Sequence, residues 1–94
     1  MAMTAGRPFR ATATGDILTT GPGSSQNGVL LGAKLTSGGA ASTAQLVDAN
    51  LNVLVDLACP VGGADYADIP MVFVGKVTLQ TLTGAGAVVN IWVQ

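Results

Sequence analysis

At 94 residues and net charge −1 the chain has the size of one domain, and its 10 % of charged residues stands far below the roughly 25 % of ordinary soluble domains. The absence of histidine excludes a Ser/His/Asp triad, a Cys/His pair and a His-bearing zinc site, and the single cysteine, Cys59, excludes an intrachain disulfide and fits reducing cytosol or a particle assembled there. Arg7, Arg10, Lys34 and Lys76 are scattered, which argues against nucleic acid as a partner, and no apolar run approaches the roughly eighteen residues needed to cross a bilayer.

The N-terminal MAMTAGRPF lacks an apolar signal core, so a soluble chain without a signal peptide is expected. Residues 1–10 show no period and read either as a loose arm or as an arm that docks on a neighbour through Phe9. Ala11 to Thr14 and Asp16 to Thr20 read as short β pieces around Gly15; their Ala-Thr alternation is too short for an ice-binding array. The loop GPGSSQNG, Gly21 to Gly28, divides an N-terminal arm and loop, residues 1–27, from a compact domain, residues 28–94.

Val29 to Ser37 alternates, with Val29, Leu31, Ala33 and Leu35 on one face and Leu30, Gly32, Lys34 and Thr36 on the other. Gly38-Gly39 breaks this strand, and Ser42 to Asp48 is expected to return as its antiparallel partner. Asp48-Ala49-Asn50 reads as an Asx-type turn. Leu51 to Ala58 then sets Leu51, Val53, Val55 and Leu57 on one face against Asn52, Leu54, Asp56 and Ala58. A helix over Ala44 to Ala58 is the competing reading, weakened by Asn50, Asn52 and the valines.

Cys59 to Pro70 is a crossing loop with Asp65 and Asp68 flanking Tyr66, and Met71 to Val74 is a short apolar strand. From Gly75 to Gln94 two β-rich runs flank Gly84-Ala85-Gly86, the pattern of a terminal hairpin. In its second run Ala87, Val89, Ile91 and Val93 share one face, and Val88, Asn90 and Trp92 the other. Both faces are largely apolar, so this strand needs cover on both sides, from a second sheet and from further chain or another subunit. Seven to eight short strands joined by Gly- and Pro-bearing loops predict an all-β fold, a small antiparallel β-sandwich or jelly-roll-like domain.

Few side chains carry chemistry. Cys59, before Pro60 and among apolar residues, reads as a buried small hydrophobe rather than a nucleophile. Asp65 and Asp68 are either oxygen ligands for calcium or a solvated loop, and their spacing is sparser than that of dedicated calcium loops, so no metal and no cofactor is expected. Gly84-Ala85-Gly86 has neither a following helix nor a Lys-Thr and is turn chemistry rather than a phosphate loop. Trp92 is either a sugar-stacking platform or a core or subunit-interface residue, and burying such a ring is worth about 5 kcal/mol of transfer free energy. No enzyme is expected; a small hydrolase would have to work through Asp65 or Asp68.

The run Pro70-Met71-Val72-Phe73-Val74-Gly75-Lys76-Val77, followed by Leu82-Thr83-Gly84-Ala85-Gly86-Ala87-Val88-Val89, resembles endings of small virion proteins of tailed bacteriophages, namely capsid decoration (cement) or head-fibre β-domains. The likeness spans roughly residues 28–94 and is one of strands and turns; where many such endings have a Tyr-rich last strand, this one has Asn90-Ile91-Trp92-Val93. The resemblance implies a structural protein on the capsid surface, assembled in the host cytoplasm, that binds the major capsid protein between capsomers as a trimer or dimer. It sets Met71, Phe73, Val89, Ile91 and Trp92 as core or subunit-interface residues, and Arg7, Pro8, Phe9 and Arg10 as a capsid-binding arm. The alternative is a receptor- or glycan-binding module of a tail fibre or spike, using Tyr66 with Asp65 and Asp68.

Overall fold

The computed structural model describes residues 7–19, 27–68 and 70–94. Among these the protein is all-β: β1 (Arg7–Ala11), β2 (Gly15–Thr19), β3 (Asn27–Thr36), β4 (Ser42–Val47), β5 (Val53–Cys59), β6 (Ala64–Ala67), β7 (Met71–Val74), β8 (Lys76–Thr83) and β9 (Val88–Val93). They form two antiparallel sheets of a small β-sandwich. One runs β1-β9-β3-β6, with β7 also on β3, and the other β2-β8-β4-β5. The long strand β3 carries β9 along one edge, and β7 and β6 in succession along the other.

Two expected pairings do not form. The terminal hairpin is absent, because β8 joins β2 and β4 while β9 joins β1 and β3. Likewise β3 and β4 lie in different sheets, and β4 pairs with β5 and β8. The reason is burial: each of these strands has one largely apolar face, and placing consecutive strands in opposite sheets turns those faces toward each other. Leu35, Val89 and Ile91 of one sheet and Leu46, Val77 and Leu79 of the other are all fully buried in one core cluster. Each such side chain contributes about 1.5 to 3 kcal/mol.

Bulges explain which alternations hold. On β9, Val89, Ile91 and Val93 face the core as expected, with Val88, Asn90 and Trp92 half-buried on the outer side. On β3 the register shifts between Leu30 and Gly32, so the core residues are Leu30, Ala33 and Leu35 rather than the expected set with Val29 and Leu31. A shift between Leu46 and Val47 does the same opposite β5, burying Leu54 along with Leu57 and leaving Val53 and Leu51 exposed.

The expected arm is also revised where it is described. Arg7–Ala11 is an edge strand antiparallel to β9, and Phe9 and Ala11 pack against the core. Pro8 is tolerated because an edge strand has a side that needs no ladder donor. With β2 in the other sheet, parts of the 1–27 segment belong to the sandwich, whereas residues 1–6 and most of the Gly21 to Gly28 loop lie outside the described residues.

The turns between sheets depend on glycine at Gly84, where φ is +96° and an added Cβ would meet Ser42 Oγ and, at 2.6 Å, the Ala41 carbonyl oxygen. Replacing Gly84 by Ala therefore adds both backbone strain and a clash, and is expected to lower stability by about 3 kcal/mol in urea unfolding. Gly39→Ala, where a Cβ meets open space, is the control and should change stability by less than about 1 kcal/mol.

Candidate functional site

Two surfaces stand out, at one end of the sandwich and on the outer face of the five-stranded sheet. The end is organised by Asp48, which follows β4 and is only 3 % exposed. Its carboxylate accepts hydrogen bonds from the backbone N–H of Asn50 at 2.9 Å, Asn52 at 3.0 Å and Val74 at 3.3 Å, and from the Asn52 side-chain amide at 3.2 Å. The expected Asx turn is thus present, and the bond to Val74 ties it to the opposite sheet. Burial pushes the Asp48 carboxyl up, but the donors of Asn52, Asn50 and Val74 together outweigh it and hold the group below the usual carboxylate range.

This turn presents Leu51 to solvent. It is 69 % exposed and is the one non-glycine residue among those described with a positive φ, +61°. An L-residue pays about 1 to 2 kcal/mol in that conformation, and an exposed leucine recovers none of it by packing. Val53, half-exposed, is two residues on. Arg7 opposite Val93, and Val93 opposite Leu30, bring the start of β1 toward the same end.

On the outer face of the five-stranded sheet, register aligns side chains from four strands. Arg10 lies opposite Asn90, Asn90 opposite Lys34, and Lys34 opposite Tyr66; in the neighbouring row Pro8 lies opposite Trp92, and Trp92 opposite Gly32. The Tyr66 and Trp92 rings are tilted at 55° with centroids 6.0 Å apart, within the range of favourable edge-to-face packing. Gly32 lies beneath them: a Cβ there would be 3.4 Å from Tyr66 Oη and 3.8 Å from Trp92 Cε3. Arg10 and Lys34 are exposed, and among the described residues the one ion pair is Lys76 with Asp16, Nζ to Oδ1 3.3 Å. The Asp16 carboxyl is held below its ordinary value by the Thr78 hydroxyl, then by Lys76.

The remaining sequence-predicted residues are placed as follows. Phe73, Val89 and Ile91 are fully buried in the core of the single chain, and Met71 packs partly buried against it. Phe73 lies over Gly28, its partner across the strands, where no Cβ fits beneath the ring. Of the arm, Phe9 turns inward while Pro8 and Arg10 share the outer face with Trp92. Tyr66 and Asp65 point to opposite sides of β6, and Asp68, exposed, follows the end of that strand. Asp65 Oδ2 accepts the Ala58 N–H at 3.0 Å, and Oδ1 accepts the N–H of Tyr66 at 2.9 Å, so Asp65 caps the edge of β5. Cys59 is buried, with Sγ 3.9 Å from the Leu35 carbonyl oxygen.

A groove of about 410 Å³ crosses the outer face of the other sheet between Thr43, Gln45, Asp56, Ala58, Asp65 and Thr81. Its polar groups are largely engaged: Thr43 and Thr83 hydroxyls lie 2.6 Å apart, and Gln45 Nε2 donates to Asp56 at 3.1 Å. The arrangement supports reversible binding at the two surfaces described above, by apolar contact at one and by ring stacking with cations at the other. No protein-family model matches the chain, and neither does any curated protein or solved structure.

Because the Asp48 pKa is lowered on folding, its contribution is fully present above the unfolded value near 3.8 and is lost as pH falls through the lower folded value. Wild type should therefore lose stability relative to Asp48→Asn as pH falls below about 5, with the two curves converging in acid-dependent urea unfolding. At neutral pH, Asp48→Ala leaves three backbone N–H groups without their acceptor and should cost about 3 kcal/mol.

Proposed function

We propose that the chain is a structural virion protein, a capsid decoration protein that stabilises a phage head by binding the major capsid protein between capsomers. The observation that carries this reading is Leu51, an exposed leucine held at positive φ by a turn pinned through Asp48. A backbone that costs stability and displays an apolar side chain is explained by a contact made outside the chain. Such a protein works through surface area, and a specific contact needs about 800 Å² per partner. The low charge content supports the same reading, since a surface poor in charge suits contact with other proteins. The segment before β1, whose first residue Arg7 pairs with Val93 at this end, serves as the second tether, and the protein assembles as a trimer or dimer.

The test is cosedimentation with undecorated heads. Leu51→Asn relieves the strained backbone, so it should raise stability by about 0.5 to 1 kcal/mol while weakening head binding at least about tenfold. Unchanged binding, with the stability gain observed, overturns the docking role of the turn. Removing residues 1–6, which spares β1 and Phe9, should likewise reduce head binding and leave the unfolding midpoint in place. Light scattering reads the assembly directly, and a monomer at working concentration overturns the trimer or dimer.

A second reading is favoured by the Tyr66–Trp92 pair: a receptor- or glycan-binding module of a tail fibre or spike. Aromatic faces at a sheet surface are the usual stacking platform for a sugar ring, and here the tyrosine is 54 % exposed. Of the acidic residues expected with it, Asp65 accepts the Ala58 N–H, and Trp92 joins the tyrosine on this face.

A further inference from the structure

From the outer face of the five-stranded sheet we infer a binding site for an acidic oligosaccharide whose sugar units carry carboxylates. This rests on the sugar-binding reading given above and adds the ligand class. Three observations converge on the same patch. The tilted Tyr66 and Trp92 rings offer apolar faces to a pyranose, and Gly32 beneath them keeps the surface low enough for the rings to lie against the sheet. Arg10 and Lys34 flank the rings on exposed positions, and neither side chain makes an ion pair or a hydrogen bond among the described residues. Asn90 stands between the two cations in the same row, with its amide likewise uncommitted.

The charge balance makes this patch distinctive. Two of the chain's four cationic residues lie in one row across three strands, in a chain whose net charge is −1. Their Cα atoms are two strand spacings apart, about 10 Å. That separation suits carboxylates on two different sugar units better than the two oxygens of one. Arg10 pairs with one carboxylate, Lys34 with another, Asn90 takes a ring or hydroxyl oxygen, and the rings supply the stacking that a simple anion lacks.

Trp92 is the only tryptophan, so its fluorescence reports occupancy of the site in the intact chain. Tetragalacturonate and tetrasialate are titrated beside methyl-esterified tetragalacturonate, which keeps the sugar and removes the charge, and beside tetraglutamate, which keeps the charge and removes the sugar. Saturable change with at least one acidic sugar is expected, with the ester and the peptide at least about tenfold weaker. Arg10→Gln with Lys34→Gln should lower affinity about tenfold and flatten its salt dependence, and Tyr66→Ser should weaken binding at every salt concentration. Equal binding of the ester overturns the acidic class and leaves the sugar-binding reading standing. Equal binding of tetraglutamate overturns the saccharide in favour of an acidic protein surface, and no response to any sugar overturns both readings.

Discussion

One apolar layer between two thin sheets is the interaction on which the rest of the molecule depends. Neither sheet is stable alone, because each carries a face of Val, Leu, Ile and Phe that water does not tolerate, and a short chain has few other sources of burial. The layer is filled from every strand: Leu35, Val89 and Ile91 close it from one side, Leu46, Val77 and Leu79 from the other, and Phe73 reaches in over Gly28. This requirement sends the chain back and forth between sheets, so that of the consecutive strand pairs β4 and β5 alone form a hairpin. It also explains the glycines at the crossings, where Gly38 packs on Gly86 and Gly84 on Ser42 too closely for a side chain.

Outside the layer, the two surfaces with functional character are built differently. The Asp48 turn is built around a single residue: one carboxylate gathers four donors, one of them from the opposite sheet, and the turn holds a leucine in a conformation it would otherwise avoid. The aromatic face is long-range, assembled by register from β1, β9, β3 and β6. The first suits a docking contact between proteins, where a few anchored apolar side chains dominate. The second suits a ligand that combines flat apolar faces with charge. They lie on different parts of the sandwich, so a contact at the first leaves the second open.

Asp65 illustrates how the fold redirects an apparent functional group. In the sequence it is half of an acidic pair beside a tyrosine. In the sandwich β5 and β6 are edge strands of opposite sheets, and the carboxylate covers the Ala58 N–H that would otherwise face solvent at the edge. Capping an exposed edge in this way discourages pairing with other chains. Tyr66, the next residue, points to the other side of its strand and is thereby delivered to Trp92.

The all-β class, most strand positions, the Asx turn at Asp48 and the inner face of β9 followed from the sequence by itself, because each rests on local alternation or on the chemistry of a few adjacent residues. The pairing of strands did not. Gly84-Ala85-Gly86 has the composition of a hairpin turn, and only burial of both flanking strands against opposite sheets decides that it is a crossing. Arg7–Ala11 looks unpatterned until β9 offers it a ladder, and the bulges of β3 and β5 that exchange Leu31 for Leu30 and expose Val53 are invisible to any strict period of two. The aromatic and cationic face was beyond reach for the same reason: Arg10, Lys34, Tyr66 and Trp92 are far apart in the chain, and their meeting is a matter of register, which tertiary packing sets.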